Sequence, residues 1–253
     1  MQIYIESLAL ILIFEFILFL IAVKFRRNDL ADVGWGLGFG FVAIYSFYKN
    51  AHPDFFQKLL LILIICWSLR LAGYLGWRMK GKTEDQRYVD MRAKWKTNWI
   101  IKTLLSVFVL QGILLWILAG PAIYHLSTAN LNLNDLTWIP ISLCFVGLCY
   151  ETIADLQKSA FKKLNSSPDV FISSGLFKYS RYPQYFGEIV FWFGVALFQF
   201  KPDKSLLLIY APFLLTLLLR FLSGVPLLEV KYMRRPGYKE YADKTPLMIP
   251  KLV

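Results

Sequence analysis

Arg70, Gln111, Glu151, Asp155, Glu188 and Arg220 all fall inside long apolar runs, where polar side chains are costly. A charge in such a setting is tolerated only if it is paired or faces water, and side chains of this kind mark substrate and cofactor pathways. Some could pair as Arg–carboxylate glue between helices, but so many in one small chain favour a shared polar cavity. Glu151 and Asp155 are four residues apart and share a helix face. Gln157, Lys158, Lys162 and Lys163 follow, and then the stretch Gly175-Leu-Phe-Lys-Tyr-Ser-Arg-Tyr-Pro-Gln-Tyr-Phe-Gly-Glu188. Carboxylates suit ribose hydroxyls, cations suit phosphates and aromatic faces suit a base, so this pattern fits a nucleotide. The basic residues alone would equally fit anionic lipid headgroups. Gly34-Trp-Gly-Leu-Gly38 follows no strand and reads as a helix-packing pattern rather than a dinucleotide fingerprint. There is no P-loop or H-E-x-x-H, and with only His52 and His125 no metal site is expected. Cys66, Cys144 and Cys149 lie in apolar runs and read as packing residues.

The elements that must position these groups are membrane helices. The 253 residues are 57% hydrophobic and 18% charged, with a mean hydropathy of +0.49. A crossing needs about 20 apolar residues. Runs at Ile3–Val23, Val33–Tyr48, Lys58–Trp77, Lys102–Gly120, Trp138–Leu156, Pro183–Phe200 and Ser205–Leu222 predict an all-α integral membrane protein of about seven transmembrane helices. The net charge of +11 follows topology and excludes a nucleic-acid partner: the segments after runs one, three, five and seven hold 21 of the 28 Lys and Arg residues. That alternation predicts an N-terminus outside and a cytosolic C-terminus, with every large polar segment on the cytosolic side. The first run ends in Lys24, Arg26 and Arg27 and lacks a basic leader, so it reads as a retained helix. No repeat or linker divides the chain, which reads as one domain, 1–253.

At Ser180-Arg-Tyr-Pro-Gln-Tyr-Phe-Gly-Glu188 the sequence resembles the steroid 5α-reductase superfamily, in its bacterial branch, where R-H-P-N-Y-F-G-E is typical. Asp32-Val-Gly-Trp35, Arg70-Leu, Glu84-Asp-Gln-Arg-Tyr88 with Arg92, Gly175-Leu-Phe177, Ser223-Gly-Val-Pro-Leu-Leu-Glu229 and Arg235-Pro-Gly-Tyr-Lys-Glu-Tyr241 extend the likeness along the chain, most densely over about 138–253. The resemblance implies a multi-pass protein of the bacterial inner membrane that binds NADPH from the cytosol and reduces a polarised C=C bond in a hydrophobic, steroid- or isoprenoid-like molecule of lipid metabolism. By position, Glu151, Asp155, Lys162, Arg181, Gln184, Tyr185, Glu188, Arg220, Glu229, Tyr238 and Tyr241 would surround the cofactor.

Two departures qualify the implied chemistry. Tyr182 and Gln184 stand where His and Asn are usual, and Trp67 stands where steroid reductases carry a Tyr three residues before the intramembrane Arg. An indole N–H donates a hydrogen bond but cannot deliver a proton as a phenol does. Tyr74 or Glu84 is then the expected carbonyl-polarising acid, with Tyr45 and Tyr88 as further phenols. Two other readings remain open. The isoprenylcysteine carboxyl methyltransferases are distantly similar and would place S-adenosylmethionine in the same loop, and a non-catalytic membrane protein would need neither ligand. The sequence carries no signal for oligomeric state.

Overall fold

The computed structural model describes residues 1–129, 131, 134–165, 167, 169–199 and 207–251. Among these residues all regular structure is helical, and the chain forms two compact units, Met1–Asn134 and Asp135–Val253.

In the first unit, α1 (Gln2–Phe25) turns Ser7, Ile11, Glu15, Phe19 and Ala22 inward and leaves Ile5, Ile13, Phe16, Ile17 and Leu20 exposed. Apolar side chains on the outside and a carboxyl on the inside are the pattern of a helix solvated by lipid. The helix stops at Arg26, whose φ of 52° is left-handed. Helix α2 (Leu30–Tyr48) packs on α3 (Phe55–Met79), which opens with a capping box between Asp54 and Gln57. The Gly34–Gly40 stretch makes that packing close: a Cβ on Gly36 would lie 2.9 Å from the Ala72 backbone nitrogen, and Ser68 Oγ donates to the Gly36 carbonyl at 2.7 Å. Trp67 is fully buried and meets Phe39 edge-on at 5.4 Å. Then follow α4 (Gln86–Trp95), α5 (Trp99–Thr103), a wide π-type turn at Leu104–Val109, α6 (Leu110–Leu118) and α7 (Gly120–Ser127).

The second unit is built on α8 (Trp138–Leu164) and α9 (Pro183–Ala196). These two helices approach almost backbone to backbone through a glycine at each contact. A Cβ on Gly147 would lie 2.4 Å from Phe191 N, one on Gly187 2.6 Å from Glu151 N, and one on Gly194 2.6 Å from Cys144 Sγ. Three contacts in step fix the antiparallel register that sets Glu151 beside Gly187. The chain continues through α10 (Tyr210–Leu217), a π-type turn at Leu218–Leu222, α11 (Val225–Tyr232) and α12 (Tyr238–Lys244).

Among the described residues six helices are long and apolar enough to cross a membrane: Gln2–Phe25, Leu30–Tyr48, Phe55–Met79, Gln86–Leu118, Asp135–Leu164 and Tyr210–Tyr232. The sixth expected run differs. Its helix has 14 residues, about 21 Å at 1.5 Å per residue, against ~30 Å of hydrocarbon. Its expected end and the start of the next run, 200–206, lie outside the described residues. The helix starts at Pro183 as expected and stops at Ala196, where Leu197 leaves the helical conformation with ψ 4°, four residues before the expected end.

Candidate functional site

The second unit encloses a cleft of about 230 Å³. Five cations line it: Lys158 and Lys162 from α8, Arg181, Lys231 from α11, and Arg235. The rings of Phe161, Phe171, Phe177, Tyr182, Tyr232, Tyr238 and Tyr241 supply most of the remaining wall, and none of the described lining residues is acidic. A concave surface of one charge sign concentrates ligands of the opposite sign.

The loop and the tail that form this cleft are fastened to each other. Arg181 N and Tyr182 N donate to the Pro246 and Leu247 carbonyls at 2.9 Å each, Ser180 Oγ donates to the Met248 carbonyl at 2.8 Å, and Lys251 N donates to Tyr179 O at 3.0 Å. The tail therefore lies on the same side of this unit as the Lys158–Tyr182 segment. The loop leaves through Gly175, whose φ is +62° and whose absent Cβ would sit 2.5 Å from Gln157 Oε1. That oxygen accepts from Leu176 N at 2.9 Å. Only glycine meets both requirements at low cost.

Behind the wall sits Glu229. Its Oε1 accepts from the hydroxyls of Tyr182 and Tyr238, each at 2.6 Å, and its Oε2 accepts from Arg181 Nη1 at 2.5 Å. Burial and the bond to Glu229 push the Tyr238 phenol up to about 12 and hold Tyr182 far above the usual phenol range. Both rings are protonated, fixed donors at neutral pH. Tyr241, also raised by burial, donates to the Phe177 carbonyl at 2.5 Å. Phe171 meets the Tyr238 ring at 5.1 Å and the Tyr241 ring at 5.3 Å.

One turn before Lys158, a second set of polar groups is buried between α8 and α9. Glu151 is 3% exposed, Asp155 8%, Gln184 7% and Glu188 8%. Each helix contributes a pair four residues apart, and the glycine-set register places the pairs alongside one another. Gln184 Oε1 is buried and has no hydrogen-bond partner among the described residues. A buried amide oxygen left unsatisfied costs about 1–3 kcal/mol, and a ligand N–H would relieve it.

Of the residues expected around a cofactor, Lys162, Arg181, Tyr238 and Tyr241 line the cleft. Glu151, Asp155, Gln184 and Glu188 form the buried set beside it. Glu229 stands behind the wall as a support. Tyr185 packs against Gly224, where an added Cβ would lie 2.9 Å from its ring, and Arg220 lies in the π-type turn with its guanidinium 5.0 Å from the Phe221 ring. Sequence reasoning passed over Phe171, Lys231 and Tyr232 as site residues and gave Arg235 no role. The signal available was the four-residue spacing of Lys231 and Arg235, which repeats that of Lys158 and Lys162.

The expected acids lie in the first unit and have different surroundings. Glu84 accepts from Asn28 N at 2.6 Å and is ion-paired with Arg92, so it ties the α1–α2 loop to the segment before α4. Tyr74 has the Arg78 guanidinium 5.6 Å from its ring. Tyr88 is buried, and its hydroxyl donates to Asp32 Oδ1 at 2.8 Å while Arg87 holds Asp32 Oδ2 at 3.0 Å. Asp32 lines a small polar pocket of about 120 Å³ with Asp29, Arg78, Lys82 and Asp85. Glu15, which the sequence reading did not single out, is buried on α1 and accepts from Gln111 at 3.4 Å. Among the described residues no three His, Cys, Asp or Glu side chains group as metal ligands would.

No solved structure matches the chain. An uncharacterized protein of Schizosaccharomyces pombe is 24% identical to it, over 98% of this chain and 80% of that protein. The model of the family described as "Protein of unknown function (DUF1295)" matches residues 18–245. With six helices fit to cross a bilayer and a family match over most of its length, this multi-pass membrane protein belongs to the DUF1295 family.

Proposed function

We propose that this chain is an NADPH-dependent reductase of the membrane that saturates a polarised C=C bond in a hydrophobic, steroid- or isoprenoid-like substrate. The observation that carries the reading is the cleft of the second unit, where five cations and seven aromatic rings with no acid adjoin a buried set of three carboxylates and an unsatisfied amide. A phosphorylated dinucleotide has the matching parts. Lys158, Lys162 and Arg181 fit its pyrophosphate, ring faces fit its purine, carboxylates fit ribose hydroxyls, and Gln184 Oε1 fits a carboxamide N–H. S-adenosylmethionine fits less well, because its sulfonium is a cation without phosphates and the cleft walls would repel it.

When bound, NADPH supplies the hydride. The chain's own groups hold and exclude. Asp155 and Glu188, both buried, orient the nicotinamide end, and the α8–α9 seam keeps water from it. The reduction also takes up one proton, ultimately from water; in the first unit Tyr88 holds its hydroxyl proton against Asp32 Oδ1 at 2.8 Å, while Glu84 is ion-paired with Arg92. The apolar substrate arrives laterally from lipid, and the basic segments face the cytosol with the N-terminus outside, an orientation that the 21-of-28 cation bias supports.

Binding to the purified protein in nanodiscs tests the reading. NADPH should raise the melting temperature and quench Trp fluorescence, with S-adenosylmethionine doing neither, and Lys162→Ala should weaken NADPH about tenfold by removing one charge-assisted phosphate contact. Stabilisation by S-adenosylmethionine with no response to NADPH would instead favour a methyltransferase. Silence toward both would leave a non-catalytic protein.

A further inference from the structure

The cleft's cations form two pairs, each carried by its own segment. Lys158 and Lys162 are four residues apart on α8, and Lys231 and Arg235 are four apart across the end of α11 and the turn after it. The buried polar set imposes an order on them. Asp155 lies about 5 Å from Lys158 and about 10 Å from Lys162 along the helix axis. A dinucleotide whose nicotinamide end rests at Asp155 and Gln184 therefore brings its pyrophosphate to the α8 pair first. A phosphate on the adenosine ribose, farther along the ligand, would then fall to the wall that carries Lys231 and Arg235.

That wall is organised before a ligand arrives. Arg235 Nη1 donates to the Val170 carbonyl at 2.5 Å, and its guanidinium lies 4.3 Å from the Tyr232 ring centroid. One hydrogen bond and one ring face hold the plane while other N–H groups stay available. A guanidinium fixed this way presents a fork suited to two oxygens of a phosphate monoester. Lys231 shares this wall and has no carboxylate partner among the described residues. Beside them, Tyr232, Tyr238 and Phe171 form a connected ring cluster, with centroids 5.4 Å and 5.1 Å apart, that offers a purine a face.

We propose that Arg235, assisted by Lys231, forms a phosphomonoester subsite that selects the 2′-phosphorylated dinucleotide over its unphosphorylated counterpart. The assignment rests on the cofactor reading above and adds to it a division of labour. The α8 pair contacts the pyrophosphate that both dinucleotides share, and Arg235 contacts the one group that distinguishes them. Arg235→Ala should then act on NADPH alone, and Lys162→Ala on both.

The test measures dissociation constants for NADPH and NADH on the full chain in zwitterionic nanodiscs. The proteins compared are the wild type, Arg235→Ala, Arg235→Lys, Lys231→Ala and Lys162→Ala. Arg235→Ala should weaken NADPH roughly 10- to 100-fold and leave NADH within about twofold. Arg235→Lys should fall between, because it keeps the charge and loses the fork, and it answers the question should the alanine variant not fold. Lys162→Ala should weaken both dinucleotides by the same factor. Equal losses of NADPH and NADH in the Arg235 variants, or no loss of either, would overturn the subsite while leaving the cofactor reading intact. A wild-type protein that binds neither dinucleotide would overturn both. An Arg235 variant altered only in its affinity for anionic vesicles would make this a lipid-headgroup site and likewise overturn the proposal.

Discussion

Glu229→Gln should destabilise the second unit more than any other single-atom change there. The carboxylate takes three hydrogen bonds from Arg181, Tyr182 and Tyr238 at 2.5–2.6 Å, with Arg181 and Glu229 side chains 10% and 18% exposed. The amide keeps one acceptor and turns an N–H toward donors. Removing one partner of a fully buried ion pair costs about 3–5 kcal/mol. Some water reaches this pair, so screening reduces the figure, and a loss of about 2–4 kcal/mol is expected. For a chain of this length about 1 kcal/mol corresponds to roughly 2–4 °C in melting temperature, which gives a drop of about 4–16 °C. Differential scanning fluorimetry in detergent reads it directly. Tyr182→Phe provides the internal scale, since it removes one donor and leaves the other two, and it should cost about 1–2 kcal/mol. A Glu229→Gln protein melting within about 1 °C of wild type would refute the claim that this carboxylate holds the cleft together.

Tyr238 predicts a pH dependence. Its folded value of about 12 lies above the ordinary phenol value near 10, so the stability it contributes is complete below about pH 10 and is lost as pH rises toward 12. Melting curves of wild type should fall over that window, and Tyr238→Phe should flatten that portion of the fall. Gly187→Leu should abolish monodisperse protein on size exclusion, because even a Cβ there lies 2.6 Å from the Glu151 backbone nitrogen and the helices would have to separate. Gly175→Ala should be milder, costing about 1–2 kcal/mol for its left-handed backbone plus whatever Gln157 must yield, read by the same melting assay.

The helices were legible because lipid imposes a simple rule on their composition, and the positions of Lys and Arg marked their ends. Glycine spacing around Gly36 also announced a helix seam, and Ser68 and Ala72 fill it. The length of α9 was harder to read. Its glycines and aromatics are apolar enough to resemble a span, while the helix itself stops at Ala196. Glu15 escaped notice because a lone acid in an apolar run has no spacing partner in sequence; Gln111 reaches it only in three dimensions. The same limit applies to the site. Glu151 and Asp155 advertise themselves by a four-residue interval on one helix. Glu229 gains its role from Arg181 and Tyr182, nearly fifty residues earlier, and from Tyr238, on three separate segments. Arg235 was visible in the sequence as a cation, but its fixed orientation depends on Val170 and Tyr232.

An experimental structure of the chain in saturating NADPH tests the central claim most directly. The account predicts dinucleotide density in the 230 Å³ cleft, its pyrophosphate against Lys158 and Lys162 and its carboxamide at Gln184. A cleft without nucleotide density in such a structure, or an acyl chain in its place, would contradict it.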